Sequence, residues 1–209
     1  MASRFTLHGL WLSGPTYKVA LMLSMCGEAY AYRHVDLRAG QQKTPEFLAL
    51  NRYGQVPVLV DGELTLCQSG SILEHLAAAL GKFGGDGEIE KARAREWLFW
   101  EFDKLSPNVY RARAVKRGFF KFEEPVMALC QTQAEAALKT LDEQLAKTQF
   151  LAGANPTTAD IAVYGVVVYA DEAGFDLGKW PKVKAWKERF EKLPGVKSPY
   201  DLLPQQDAA

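Results

Sequence analysis

The chain has 209 residues, is 48% apolar, and carries 25 Lys and Arg against 25 Asp and Glu. The absence of net positive charge argues against a nucleic acid or an anionic membrane surface as partner, since either requires a basic face. Its length admits one or two compact units, each with a substantial core.

The first stretch, RFTLHG, alternates with period two and places Phe5 and Leu7 on one face of a strand. Val19, Met22, Leu23 and Cys26 then recur at helical spacing, and Gly27 stops that helix. AYRHVDL reads as a second strand. Thr44-Pro45 opens a short helix through Leu50, with proline at the first helical position. VPVLV and ELTLC flank Asp61-Gly62, a pair suited to a tight hairpin turn. Ser69 stands before Leu73, Leu76, Ala77 and Leu80, a capped helix with one apolar stripe. Strand, helix, strand, helix, hairpin, helix is an α/β order, predicted over residues 1–80.

Residues 81–88, GKFGGDGE, read as a linker. Beyond it the signals are helical, so an all-α unit is predicted over 89–209. Leu98, Phe102 and Leu105 share a face, with Trp97 and Trp100 beside them, until Ser106-Pro107-Asn108 interrupts the pattern. Cys130, Ala134, Leu138, Leu141 and Leu145 mark a long helix after Pro125. IAVYGVVVYA, residues 161–170, has the valines of a strand. The preceding Thr157-Thr158-Ala159-Asp160 has the spacing of a capping box, which predicts a helix buried all round. Val183, Trp186, Phe190 and Leu193 form the last stripe, ended by Pro194-Gly195.

Cys26, Cys67 and Cys130 lie in apolar stretches without CxxC spacing, which predicts buried thiols. His8, His34 and His75 lack ligand spacing, so no metal site is expected. Residues 1–10 have no continuous apolar h-region, and residues 161–170 are about half of what a membrane span needs. A soluble, cytoplasmic protein is expected.

QVPVLVDGELTLCQSGSILEHLA, FLAGANPTTADIAVYG and KWPKVKAWKERFEKLPGV, in that order and spacing, resemble segments of the cytosolic glutathione transferases. The resemblance spans essentially the whole chain and is closest to serine-type, bacterial members. It implies a thioredoxin-like N-terminal domain, an all-helical C-terminal domain, a homodimer and glutathione as co-substrate. It also implies a cis Val56-Pro57 peptide and a γ-glutamyl site at Gln68-Ser69, with Gln55 as a further polar contact. Many family members carry Glu at the position of Gln68; an amide hydrogen-bonds but forms no ion pair with the tripeptide's ammonium.

The segment LWLSGPTYKVALML holds the candidate activating group. Pro15 suits the first helical position, which makes Gly14 the expected cap and leaves Ser13 on the strand-to-helix turn, free to face a ligand. The resemblance places the thiolate-binding hydroxyl at Ser13; Thr16 is the reserve, and Tyr17 or backbone groups alone are further alternatives. No cysteine lies in this segment, which disfavours mixed-disulfide chemistry through the protein. A second, electrophile site is expected between the domains. Trp97, Trp100, Tyr110, Arg111 and Arg113 are candidate walls, against the alternatives of core or dimer interface for the two tryptophans. Thr157 and Asp160 are expected to be structural. The expected function is a detoxifying glutathione S-transferase acting on small hydrophobic electrophiles. The alternatives are a glutathione-dependent peroxidase or disulfide reductase, and a non-catalytic binding module.

Overall fold

The computed structural model describes residues 3–208, in two units: residues 3–81 together with 193–208, and Lys82–Lys192. In the first unit β1 (Phe5–Gly9), α1 (Gly14–Cys26) and β2 (Tyr30–His34) form a parallel crossover. α2 (Pro45–Leu50), β3 (Val58–Asp61), β4 (Leu64–Cys67) and α3 (Ser69–Leu80) follow. The sheet order is β2-β1-β3-β4, with β3 antiparallel to both neighbours. Phe5 and Leu7 are fully buried, as their alternation requires. Gly27 ends α1 with φ 76°, a left-handed cap that tolerates glycine best. This is the thioredoxin-like architecture expected from the α/β order.

Residues 193–208 return to this unit through α10 (Pro199–Leu202), and Ala208 pairs antiparallel with Tyr32 on the edge strand β2. The helical unit therefore ends at Lys192, short of the predicted 89–209. Leu193 continues the apolar stripe of α9 (Pro181–Phe190) in sequence, but Pro194-Gly195 turns the chain away after it.

The second unit is all-helical. Its elements are α4 (Gly87–Trp100), a π-helical turn (Glu101–Leu105), α5 (Ser106–Lys116), α6 (Glu124–Leu145), α7 (Thr158–Val167), the short α8 (Ala170–Ala173) and α9. The predicted 81–88 linker is bonded into this unit: Thr158 N–H donates to the Phe83 carbonyl at 2.8 Å, and Asp86 N–H donates to Glu90. Every residue of α7 is buried, so its capping signal outweighed the β preference of its valines. Asp160 Oδ2 accepts from Thr157 N–H at 2.9 Å and from the Thr157 hydroxyl at 3.2 Å. Its Oδ1 accepts from Leu151 N–H and Trp186 Nε1, both at 3.0 Å. One carboxylate thus ties the start of α7 to the preceding loop and to α9. Trp186 in turn packs with Tyr164 and Phe190 as an aromatic cluster.

Ser106-Pro107-Asn108 is predicted to interrupt the helix, and it does not. Pro107 cannot donate a main-chain hydrogen bond, and the chain widens into the π turn instead, with Asn108 Nδ2 donating to the Lys104 carbonyl at 2.8 Å. Tyr110, Arg111 and Arg113 consequently lie on α5 rather than on a loop.

Candidate active site

Strand register brings the first unit's candidate residues together. His8 on β1 pairs with Val58 on β3, and Val58 pairs with Cys67 on β4. The turn carrying Ser13 leaves β1 at this end, Gln55-Val56-Pro57 enters β3 here, and Gln68-Ser69 leaves β4 here. Three sequence-distant motifs therefore meet at one end of the sheet, where β1 ends, β3 begins and β4 ends.

Ser13, not Gly14, is the cap of α1: Thr16 N–H donates to Ser13 Oγ at 3.2 Å, and Pro15 sits one residue later in the first turn than expected. Capping uses an acceptor site on Oγ and leaves the hydroxyl proton free to donate. Ser13 is half-buried and reachable by solute, whereas Thr16 is fully buried with its Oγ1 unpartnered. Thr16 packs against Gly9, where a Cβ would overlap Thr16 Cγ2. Gly9→Ala should therefore displace the first turn of α1 and cost about 1–3 kcal/mol, read from the thermal or urea midpoint. The Tyr17 hydroxyl donates to the Lys197 carbonyl at 2.7 Å, so that proton is committed to the main chain.

The Val56–Pro57 peptide is cis. Gln55 is exposed, and its carbonyl accepts from Asn51 Nδ2 at 2.6 Å, while Asn51 Oδ1 accepts from Tyr53 N–H. Asn51 is 2% exposed and shapes the loop that delivers Gln55-Val56-Pro57. Sequence reading missed it; the signal was a polar residue directly after a short apolar helix, ahead of Gly54.

Ser69 is the first residue of α3 rather than its cap, and its Oγ is buried without a hydrogen-bond partner. Gln68 holds the cap position with φ 70°, unusual for a residue with a side chain, and makes no capping hydrogen bond. The N-terminus of α3 thus presents main-chain N–H groups and a buried hydroxyl, donors suited to a carboxylate. Cys67 is half-buried, with Sγ 3.6 Å from the Leu50 carbonyl, and burial pushes its thiol pKa up. That environment opposes a reactive thiolate.

In the helical unit, Arg113 is 6% exposed. Its Nε donates to Glu172 at 2.9 Å, and its guanidinium lies 3.7 Å from the Tyr169 ring centre. Tyr110 hydroxyl donates to the Gly165 carbonyl at 2.9 Å, near the end of α7 where helical partners run out. Both were candidate electrophile contacts; both are engaged in their own unit's packing. Trp97 and Trp100 meet edge to face at 4.9 Å and line a groove of about 330 Å³ with Glu96, Thr140, Glu143, Gln144 and Lys147. They are half-buried on a helix surface, not core. Among the described residues, no group of three His, Cys, Asp or Glu is arranged to hold a metal, and no helix is long and apolar enough to cross a membrane.

Residues 3–78 match the family described as glutathione S-transferase, N-terminal domain, and residues 105–194 match its C-terminal domain. The chain is 30% identical over 187 residues to the disulfide-bond oxidoreductase YfcG of Escherichia coli, covering 86% of this chain and 87% of that one. It is 32% identical over 197 residues to the maleylacetoacetate isomerase of Rhizobium meliloti, covering 90% and 92%. The crystal structure of a glutathione S-transferase from Pseudomonas fluorescens superposes with a TM-score of 0.89 at 31% identity, covering 94% of this chain and 99% of that one. On sequence and fold together, the chain belongs to the glutathione S-transferase family.

Proposed function

We propose that the protein is a glutathione transferase in which Ser13 holds the thiolate of bound glutathione for attack on a small hydrophobic electrophile. The observation that carries this reading is the Ser13 hydroxyl: half-buried, fixed by its capping bond, and with its proton uncommitted, at the same end of the sheet as Pro57 and Ser69. The main-chain groups around Val56-Pro57 take the peptide portion of glutathione. The N–H groups of α3 and the Ser69 hydroxyl take the γ-glutamyl carboxylate, and Gln68 and Gln55 add polar contacts.

A serine hydroxyl is too weak a base to remove the thiol proton, which leaves to solvent as the thiolate forms. Ser13 Oγ–H then donates to sulfur. The sulfur lone pair forms the new S–C bond, and the electrophile releases its leaving group or takes a proton from water. The proposed setting is cytoplasmic, with a second copy of the chain completing a homodimer.

The likeness to a disulfide-bond oxidoreductase supports a second reading, glutathione-dependent reduction of disulfides or peroxides, with the same Ser13-bound thiolate as nucleophile. An assay of one preparation against an aryl halide, an organic hydroperoxide and a small disulfide separates the two. Transfer predicts the aryl halide as the best substrate. Turnover confined to the disulfide or hydroperoxide selects reduction. Absence of all three turnovers, with retention on immobilised glutathione, selects the binding module.

A further inference from the structure

Residues 193–208 return to the first unit and lie along α1 at several points. The Ser24 hydroxyl donates to the Gly195 carbonyl at 2.7 Å, and the Tyr17 hydroxyl donates to the Lys197 carbonyl at 2.7 Å. Gly195, at φ 79°, lies directly over the Ser24 carbonyl and the Met25 Cα, where any side chain would force the segment off the helix. Asp207 accepts from His34 N–H at 2.8 Å, and Ala208 forms its bridge to β2. The segment is thus held at both ends.

Its middle reaches the turn that carries Ser13. The Tyr200 ring meets the Trp11 ring edge-on at 6.2 Å, two residues before Ser13, and Tyr17 follows Ser13 by four. The chain on each side of Ser13 therefore leans on the same segment. A hydrogen bond from Oγ to a bound sulfur weakens steeply with misplacement or poor angle, so the position of this turn matters to the anion.

We propose that residues 193–208 act as a positioning strap for Ser13, through Tyr200 on Trp11 and the Lys197 carbonyl on Tyr17. The proposal rests on the reading that Ser13 holds the thiolate. Tyr200 is 46% exposed, so Tyr200→Ala should leave the protein folded. Tyr17→Phe removes one hydrogen bond while keeping the buried ring, and serves as the second variant.

The experiment titrates the ultraviolet thiolate absorbance of bound glutathione in wild type, Tyr200→Ala, Tyr17→Phe and Ser13→Ala, and in each tyrosine variant combined with Ser13→Ala. Far-ultraviolet circular dichroism checks folding. Each tyrosine variant should raise the thiol pKa by about 0.7 pH unit, roughly halving the ionised fraction at pH 7. Neither should add to the effect of Ser13→Ala, because the strap acts through that hydroxyl. Two results overturn the strap while leaving Ser13's role intact: wild-type thiol pKa in both tyrosine variants, or the same shift with and without Ser13. If Ser13→Ala itself leaves the thiol pKa unchanged, the functional reading fails and the strap falls with it.

Discussion

Asp160→Ala is expected to unfold the helical unit or leave it a small fraction folded near neutral pH. The substitution removes the acceptor of four buried donors, Leu151 N–H, Thr157 N–H, the Thr157 hydroxyl and Trp186 Nε1. Each buried donor without a partner costs about 1–3 kcal/mol, and removing the buried carboxyl offsets part of that, for a net loss of about 3–5 kcal/mol. Against a typical domain stability of roughly 5–15 kcal/mol, that is a large share. A urea melt of the unit's tryptophan fluorescence checks the loss.

The carboxyl also gives a pH signature. Burial outweighs its four hydrogen bonds and pushes its pKa up to about 6. A carboxyl raised in the folded state is favoured when protonated, so its contribution is fully present below the unfolded value and is lost as pH rises through about 6. Stability from this group should therefore rise as pH falls from 7 toward 4. Protonated Oδ2 can donate to the Thr157 hydroxyl, which reverses its role. Asp160→Asn, which does not titrate, should be less stable at low pH and lack this slope.

Ser13→Ala is expected to abolish most of the thiolate signal of bound glutathione while slowing a good electrophile far less. A thiol near pKa 8.5 is about 3% ionised at pH 7, and lowering it by about 2 units makes it roughly three-quarters ionised, near 25-fold more. The stabilised thiolate loses roughly 8-fold in intrinsic nucleophilicity at a Brønsted slope of about 0.45. The net gain is about 3-fold, so the variant should lose about 3-fold in rate and about 25-fold in ionised fraction. Positioning of the second substrate supplies the larger part of the rate. Ser13 also caps α1, so the alanine variant should lose about 1 kcal/mol of stability, and Ser13→Thr should restore both cap and thiolate.

Much of the first unit was legible because its signals are local. The hairpin between β3 and β4 forms as expected, although its two-residue turn is Gly62-Glu63, with Asp61 closing β3 opposite Leu64, one residue later than predicted. The α1 stripe up to Gly27 also needs only short-range chemistry. The capping-box spacing at Thr157 and Asp160 likewise overrode the strand preference of the valines after it. What escaped depends on where an element packs. The stripe of α9 says which face is buried, but not that the chain after Leu193 joins the other unit. Proline at 107 announces a lost hydrogen bond, yet a loop and a π turn both accommodate it. That choice decided the fate of Tyr110 and Arg113, whose partners Gly165 and Glu172 lie more than fifty residues away. The cap of α1 slipped by one residue because proline is tolerated throughout the first helical turn, and with it went the prediction that Ser13 stands free of the helix.

The central claim is that the Ser13 hydroxyl, rather than that of Thr16, holds the sulfur anion. A pH titration of the thiolate absorbance of bound glutathione in wild type, Ser13→Ala and Thr16→Val tests it most directly. The account predicts a depressed thiol pKa in wild type and Thr16→Val, and a return to near the free value of about 8.5 in Ser13→Ala. A wild-type titration in Ser13→Ala together with a lost signal in Thr16→Val would contradict it.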